Sequence, residues 1–201
     1  MKLLHIDSSL LGEASASRQL SRSIVERLQR EHPGLQTTYR DLDAAPLPHW
    51  TGTDFAASRQ AANSLDVDAG AKTNAAVLQE FLDAEIVVVG APMYNLGVPS
   101  VLKAWIDRIS IAGATFRYTE HGPEGLAGGK RVVIASTRGG LYAEGSPGSA
   151  LDFQETYLRA VFAFLGVTDV QVVRAEGLAL GPEQRQAALQ AALGEPDRQA
   201  A

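Results

Sequence analysis

Cysteine is absent from the 201 residues of this chain. That absence excludes disulfide bonds, zinc sites built from thiolates and cysteine nucleophiles. It agrees with a reducing compartment, so we expect a cytoplasmic protein. A chain of this length can bury a sufficient core without such links. We therefore expect one domain over residues 1–201, with a polar tail from about 195 to 201.

Long apolar runs and concentrated positive charge are also missing. No stretch approaches the roughly 20 apolar residues of a membrane-spanning helix, and the acidic Asp7 comes too early for a signal peptide. The formal net charge is −5, and the lysines and arginines are scattered, so no basic stripe offers itself to nucleic acid. We expect a soluble protein that binds a small molecule, without a membrane or nucleic-acid partner.

Several catalytic motifs are missing as well. The chain has neither G-x-G-x-x-G nor G-x-x-x-x-G-K-[ST], which argues against a dinucleotide-binding unit and against a nucleotide triphosphatase. It has no G-x-S-x-G motif and no clustered metal ligands. We therefore predict no side-chain nucleophile and no metal site.

The clearest positive signal is the run of β-branched residues from Ile86 to Val89. Such a run is typical of a parallel strand that helices cover on both faces. Pro92 ends the strand at its carboxyl edge, where open α/β sheets bind ligands. The next residues, Met93, Tyr94 and Asn95, suit a planar ligand; the alternative is that Met93 and Tyr94 simply cap the core.

Two more strands end in distinctive loops. The strand Leu3–Asp7 precedes a loop rich in hydroxyl groups and then a helix, whose N-terminus suits a phosphate. Its candidate ligands are Ser9, Ser15 and Ser17, although Ser17 alone would also be an ordinary N-cap. The strand 131–136 precedes Thr137–Gly140, where paired glycines allow close backbone approach or form an ordinary turn.

Strands and helices alternate along the whole chain, including a predicted second strand at 35–42 and a predicted helix at 149–165. This order predicts an α/β fold with an open, five-stranded parallel sheet and helices on both faces. In the strand order 2-1-3-4-5 the first and third strands adjoin at the switch point, which is where a flavodoxin-like protein holds FMN.

Taken together, the motifs resemble a known family. They are Ser8-Ser9, Ser15-Ala16-Ser17, Ala91-Pro92-Met93-Tyr94-Asn95, the segment 115–126 and Thr137-Arg138-Gly139-Gly140. In this order and spacing they are similar to the FMN-dependent NADH-azoreductase family of bacterial quinone reductases. The resemblance covers nearly the whole chain.

The resemblance implies a homodimer with one FMN per subunit. NADH would reduce the flavin, and quinones or azo compounds would reoxidise it in a ping-pong cycle. The implied cofactor-binding residues are Ser9, Ser15, Ala16, Ser17, Pro92, Met93, Tyr94, Asn95, Leu96, Thr137, Arg138, Gly139 and Gly140. Backbone groups near Asn95 and Gly140 would assist the chemistry of the flavin. Family members often have Phe at position 96 and Asn at position 121, so Leu96 and His121 alter the substrate pocket.

The segment 112–129 is longer than a plain connection between strands requires. We expect Phe116, Tyr118 and His121 to line the substrate pocket. The preceding helix carries Leu102, Trp105, Ile106 and Ile109, which is more apolar surface than one side of the sheet should need. We therefore expect a homodimer in which segment 115–121 of one subunit helps to cover the flavin of the other.

Two alternatives share this fold. A flavodoxin-like electron carrier would bind FMN without turning over NADH. A receiver-type signalling domain would require a phosphorylatable Asp at the end of the third strand, where this chain has Gly90, Ala91 and Pro92. The long segment 112–129, which would roof a substrate cleft, favours the enzyme.

The first prediction concerns the identity of the flavin. The hydroxyl-rich loop offers one phosphate site and the chain has no dinucleotide motif, so the purified protein should carry FMN. Extraction of the bound flavin followed by chromatography against FMN and FAD standards measures this. A flavin pool that is mainly FAD would contradict the prediction.

Overall fold

Strands and helices alternate along residues 1–60 and 69–194, the part of the chain that the computed structural model describes. The strands are β1 (Lys2–Asp7), β2 (Gln36–Asp41), β3 (Ile86–Pro92), β4 (Phe116–Thr119), β5 (Gly122–Gly125), β6 (Arg131–Thr137) and β7 (Asp169–Ala175). The helices are α1 (Ala16–Glu31), α2 (Gly52–Gln60), α3 (Ala69–Asp83), α4 (Ser100–Ile109), α5 (Phe153–Phe164) and α6 (Pro182–Gly194).

Five parallel strands form the central sheet in the order β2-β1-β3-β6-β7. Counted within this sheet, the order is 2-1-3-4-5, which confirms the predicted fold class. Strand β3 lies in the middle and pairs with β1 on one side and β6 on the other. Strands β4 and β5 form a separate antiparallel hairpin. No helix within the described ranges is long and apolar enough to cross a bilayer.

The buried strands divide their side chains between two cores. Along β3, Val87 and Val89 belong to the core under α3, α4 and α5, whereas Ile86 and Val88 belong to the core under α1 and α6. This alternation follows from the two-residue period of a strand. Both faces of the sheet are therefore apolar, as the unbroken run of β-branched residues predicts.

Four large apolar residues of α4 are wholly internal. Leu102, Trp105, Ile106 and Ile109 are all buried in one subunit, and Trp105 packs edge-on against Phe81 of α3, with 6.0 Å between ring centroids. The expectation that these side chains exceed what one subunit can cover is therefore wrong. Helix α4 contacts α3 as well as the sheet core, so its apolar side chains are covered within the subunit.

The helix predicted at 149–165 begins later. Residues Ser149–Leu151 form a single 3₁₀ turn, and α5 starts only after Asp152, whose carboxylate accepts a hydrogen bond from the N–H of Glu155 at 3.0 Å. Aspartate at this position is a favoured N-cap. The C-terminal end of the helix agrees with the prediction, because Gly166 follows it with a positive φ of 92°. The predicted polar tail at 195–201 lies outside the described residues.

The β4–β5 hairpin lies at the amino end of the sheet. It follows the last turn of α4 and precedes the first residue of β6, and it docks on the end of α5. There the Phe116 ring packs against Phe164 at 4.5 Å between centroids. A Cβ on Gly125 would lie only 2.1 Å from the backbone N of Gly166, so a side chain there would separate the hairpin from α5.

Candidate functional site

The three distinctive loops meet at the carboxyl edge of the sheet. Asp7, the last residue of β1, is in register with Gly90 of β3, and Pro92 is in register with Thr137 of β6. The pairing extends one step further, since the N–H of Met93 donates to the carbonyl of Thr137 at 2.8 Å. The structure thus brings the three loops predicted to form the site onto adjacent strands.

The first of these loops, residues 8–17 (the serine loop), packs closely around the start of α1. Ser15 is the N-cap, because its hydroxyl accepts from the N–H of Arg18 at 3.2 Å, so the alternative that made Ser17 the cap is wrong. The hydroxyls of Ser15 and Ser17 lie 3.1 Å apart. Ser9, Ser15 and Ser17 are each only 1% exposed, so a phosphate would have to displace contacts between hydroxyl groups to reach them.

Tyr94 joins the first loop to the second. Its phenol oxygen accepts from the N–H of Leu10 at 3.1 Å and lies 3.2 Å from the hydroxyl of Ser9. The ring is half-buried. Tyr94 therefore does more than cap the core, because it links the loop suited to a phosphate with the loop suited to a planar ring.

Asn95 and Leu96 form the tip of a two-residue turn. Tyr94 and Gly97 exchange backbone hydrogen bonds of 3.0 Å each, and both tip residues have positive φ, 49° for Asn95 and 70° for Leu96. This is a type I′ turn, in which Asn suits the first position and Gly normally takes the second. A leucine there costs about 1 to 2 kcal/mol. Neither tip N–H donates to a described residue.

The third loop is held largely through the carbonyls of its two glycines. The carbonyl of Gly139 accepts from Ala179 at 3.0 Å, and that of Gly140 accepts from Gly177 at 2.9 Å. The N–H groups of both glycines donate to no residue in the described parts of the chain. A Cβ on Gly140 would lie 3.1 Å from the Tyr142 ring, so packing also favours glycine there.

The Arg138 side chain points into the protein, and its guanidinium forms ion pairs with three carboxylates. Its guanidinium is buried and pairs with Asp152 at 2.9 Å, with Glu176 at 3.0 Å and with Glu155. Its backbone N–H donates to Ala175, and its carbonyl accepts from Leu178. We infer that Arg138 supports the third loop from below, although the sequence had placed it among cofactor-binding residues.

The same cluster controls the ionisation of Glu155. Burial by itself would raise the pKa of this carboxyl group. Arg174 donates to both of its oxygens, and the charge of Arg138 adds to this effect. The net result is a pKa below the ordinary value. Glu155 therefore stays ionised inside the protein and holds α5 to the end of the sheet.

A cleft of about 910 Å³ opens beside the turn of the second loop. Its walls come from Leu10, from the turn and first residues of α4, and from one side of α5. The lining residues are Leu10, Tyr94, Asn95, Gly97, Val98, Pro99, Ser100, Lys103, Phe153, Thr156, Tyr157 and Ala160. Of the predicted cofactor-binding residues, Tyr94 and Asn95 line this cleft.

The predicted substrate-pocket residues are not part of this cleft. The hairpin places them at the opposite end of the sheet, where Phe116 is buried against Phe164 and against Tyr118. Tyr118 is 75% exposed, and the side chain of His121 is exposed as well. Within one subunit, therefore, Phe116, Tyr118 and His121 do not join the cofactor loops.

Sequence reasoning missed two supporting residues. Gln154 is fully buried, donates to the carbonyl of Ala91 at 2.7 Å and accepts from the hydroxyl of Ser136 at 3.1 Å. Phe153 forms a wall of the cleft. The sequence carries no signal for the bridge that Gln154 makes. The side chain of Asn95, a residue that favours positive φ, could have indicated the tight turn.

These features fit a planar ligand that carries a phosphate. Free N–H groups occur at the second and third loops, and the start of α1 adds the partial positive charge of a helix N-terminus. The hydroxyls of the serine loop lie next to that terminus. No group of potential metal ligands occurs among the described residues.

Comparison with known proteins gives the same result. A family profile described as the flavodoxin-like fold matches residues 1–199. A protein of Methylorubrum extorquens (strain PA1), named FMN-dependent NADH:quinone oxidoreductase, is 55% identical over 194 residues, which cover 96% of this chain and 96% of that protein.

Two solved structures resemble the whole fold. An azoreductase from Bacillus anthracis (strain Sterne) superposes with a TM-score of 0.85 at 30% identity, covering 96% of this chain and 95% of that chain. An FMN-dependent NADH-azoreductase from Bacillus anthracis (strain Ames Ancestor), in complex with FMN, superposes with a TM-score of 0.82 at 27% identity and covers 96% of each chain.

The buried position of Arg138 leads to a prediction about stability. Arg138→Met should lower the free energy of unfolding at pH 7 by about 3 to 5 kcal/mol, because it removes the buried cation that Asp152, Glu155 and Glu176 share. The deficit should shrink as the pH falls toward 4. Glu155, whose pKa is lowered in the folded protein, stabilises the fold above its unfolded pKa and loses that contribution in acid. In the variant, protonation also relieves the repulsion among the three carboxylates that Arg138 pairs with.

Urea denaturation of both proteins at several pH values measures this effect. Arg117→Met is the matched control, since it removes the exposed pair with Glu124 and should leave the free energy of unfolding almost unchanged. Equal unfolding free energies of wild type and Arg138→Met at pH 7 would show that the buried cluster does not support the loop.

Proposed function

The chain belongs to the family with the flavodoxin-like fold, and on this premise we propose that it is an FMN-dependent oxidoreductase that uses NADH to reduce quinones and azo compounds. The observation that carries this proposal is the meeting of three loops at one sheet edge. They bring together the turn at Asn95 and Leu96, the N-terminus of α1 and N–H groups that bond to no described residue. The names of the relatives agree with it.

We assign the cofactor contacts loop by loop. Ser9 and Ser15–Ser17 would hold the phosphate, using hydroxyls and the N–H groups at the start of α1. Pro92–Leu96 would line the ring system, and Thr137–Gly140 would meet its pyrimidine edge. Arg138 would serve that edge indirectly, by holding the loop that presents Gly139 and Gly140.

Bound FMN supplies the redox chemistry, since it accepts a hydride from NADH and passes two electrons to the acceptor. The protein supplies orientation and electrostatics. The N–H groups of Gly139 and Gly140 would favour negative charge that develops at the pyrimidine edge. The N–H groups of Asn95 and Leu96 sit on a rigid turn, so they would offer donors to the ring without reorganisation.

We further propose that the cycle is ping-pong. NAD⁺ would leave before the quinone or azo acceptor binds, because both substrates would react with one ring system beside one cleft. We place the protein in the cytoplasm, where NADH is available and where a chain without cysteine needs no oxidising environment.

We also propose that the protein acts as a homodimer. Helix α4 gives no support for a dimer, because its large apolar residues are internal. Two other observations support a dimer. Phe153, on the wall of the cleft, is 56% exposed. Tyr118 is a large, exposed aromatic residue at the amino end of the sheet, away from the cofactor loops of its own subunit. A second copy would cover the cleft and bring Tyr118 and His121 toward the flavin of its partner.

Steady-state kinetics test the reaction itself. Purified protein loaded with FMN should oxidise NADH when a quinone is present, and the same protein stripped of flavin should not. Varying the quinone at several fixed NADH concentrations should give parallel double-reciprocal lines. Intersecting lines would refute the ping-pong order. FMN that is bound but never reduced by NADH would favour the electron carrier instead.

A charge in the cleft tests the dimer. Phe153→Glu should give a monomer by light scattering and should lose most of the quinone reductase activity, because it places an ionised carboxylate in an apolar contact. Its far-UV circular dichroism should match that of the wild type, since Phe153 is exposed within one subunit. A dimeric, fully active Phe153→Glu would contradict the proposed interface.

Leu193→Glu is the matched control for this experiment. Leu193 is 44% exposed and lies on α6, which covers the opposite face of the sheet. We expect this variant to keep the oligomeric state and the activity of the wild type.

A further inference from the structure

Arg18 stands in the first turn of α1, directly after the serines assigned to the phosphate. An arginine at such a place would ordinarily be assigned to the anion as its counter-ion. In this structure the side chain is 8% exposed and its guanidinium is turned toward β2. The role of Arg18 therefore follows from the contacts of its guanidinium with the protein.

Those contacts join the serine loop to the end of β2. Nη1 and Nη2 donate to the two carboxylate oxygens of Asp41 at 2.6 and 2.8 Å, which makes a bidentate pair. Nη1 also donates to the Tyr39 hydroxyl at 3.1 Å. Nη2 donates to the backbone carbonyl of Ser9 at 2.9 Å.

The charge of Arg18 is already balanced by Asp41. The N–H groups of Asp43 and Ala44 also donate to Asp41, at 3.0 and 3.2 Å. Mainly through the hydrogen bonds from Arg18, the pKa of Asp41 falls to about 2. Asp41 is therefore ionised at neutral pH, and the guanidinium has a full partner before any ligand binds.

We propose that Arg18 and Asp41 form a positioning pair that holds the Ser9 carbonyl and so sets the shape of the phosphate end of the cofactor site. The outer part of that loop, residues 10–14, is exposed, whereas its root at Ser9 is buried and held by Arg18. This inference rests on the proposed FMN function, and Arg18 itself does not contact the reacting atoms.

A direct role for Arg18 gives the opposite expectations. Its Nε has no hydrogen-bond partner among the described residues and could be offered to an anion. If Arg18 were the counter-ion, Asp41→Asn would release its charge and FMN would bind more tightly. Arg18→Lys would also keep most of the affinity. For a positioning pair both changes weaken binding, because neither a lysine nor an asparagine reproduces the bidentate pair.

The experiment titrates flavin-free protein with FMN and, separately, with riboflavin, and follows the quenching of flavin fluorescence. Riboflavin lacks the phosphate and therefore reports on the rest of the site. Arg18→Met and Asp41→Asn should weaken FMN binding about 10- to 100-fold, the effect of losing a charge-assisted hydrogen bond. Arg18→Lys should fall between these variants and the wild type. Riboflavin affinity should change less than about twofold.

Arg40→Met is the matched control. Arg40 directly precedes Asp41 on β2. It makes a bidentate pair with Glu80 of α3, at 2.9 and 2.7 Å, on the opposite face of the sheet. Losing that pair should leave both flavin affinities unchanged. If Arg18→Met does not fold, as judged by circular dichroism, Asp41→Asn and Arg18→Lys carry the test.

The outcomes separate the two proposals. Unchanged or tighter FMN binding by Asp41→Asn would overturn the positioning role, and so would equal losses for FMN and riboflavin, which would indicate general damage. A wild-type protein that binds neither flavin would instead overturn the proposed function. Loss of FMN affinity alone, in Arg18→Met and Asp41→Asn but not in Arg40→Met, is the expected result.

Discussion

The parallel pairing of β3 with β1 and β6 is the constraint on which the rest of the structure depends. Parallel strands end at the same edge, so this pairing brings three loops that are far apart in sequence onto adjacent strand ends. It even continues past Pro92, where the N–H of Met93 reaches the carbonyl of Thr137. A shift of one residue in this register would exchange the two apolar cores and separate the loops.

Charged side chains inside the protein hold these loops in place. Arg18 ties the first loop to β2 through Asp41, and Arg138 ties the third loop to α5 through its carboxylate partners. Gly90 shows how tightly this edge is packed, since a Cβ there would lie 2.3 Å from an oxygen of Asp7. In both loops an arginine beside the cofactor site is directed inward. In the proposed site, backbone N–H groups and hydroxyls would bind the ligand, and these ion pairs would set their positions.

The two ends of the sheet carry different parts of one function. The carboxyl edge carries the loops that suit FMN, and the amino end carries the β4–β5 hairpin with the exposed Tyr118. One subunit cannot bring both ends together, because the length of α5 separates them. The proposed second subunit would bring them together by docking over the cleft between α4 and α5. An active site that is completed only by dimerisation would link catalysis to assembly.

The sequence by itself determined the fold class, the strand order and the loops that meet, because hydrophobic periodicity and turn residues are local signals. Only the tertiary structure decided which way side chains turn. It directed Arg138 and Phe116 into the protein, buried Trp105, and made Ser15 the helix cap. It also showed the type I′ turn at Asn95 and the bridge made by Gln154. These features depend on partners distant in sequence, which no local pattern encodes.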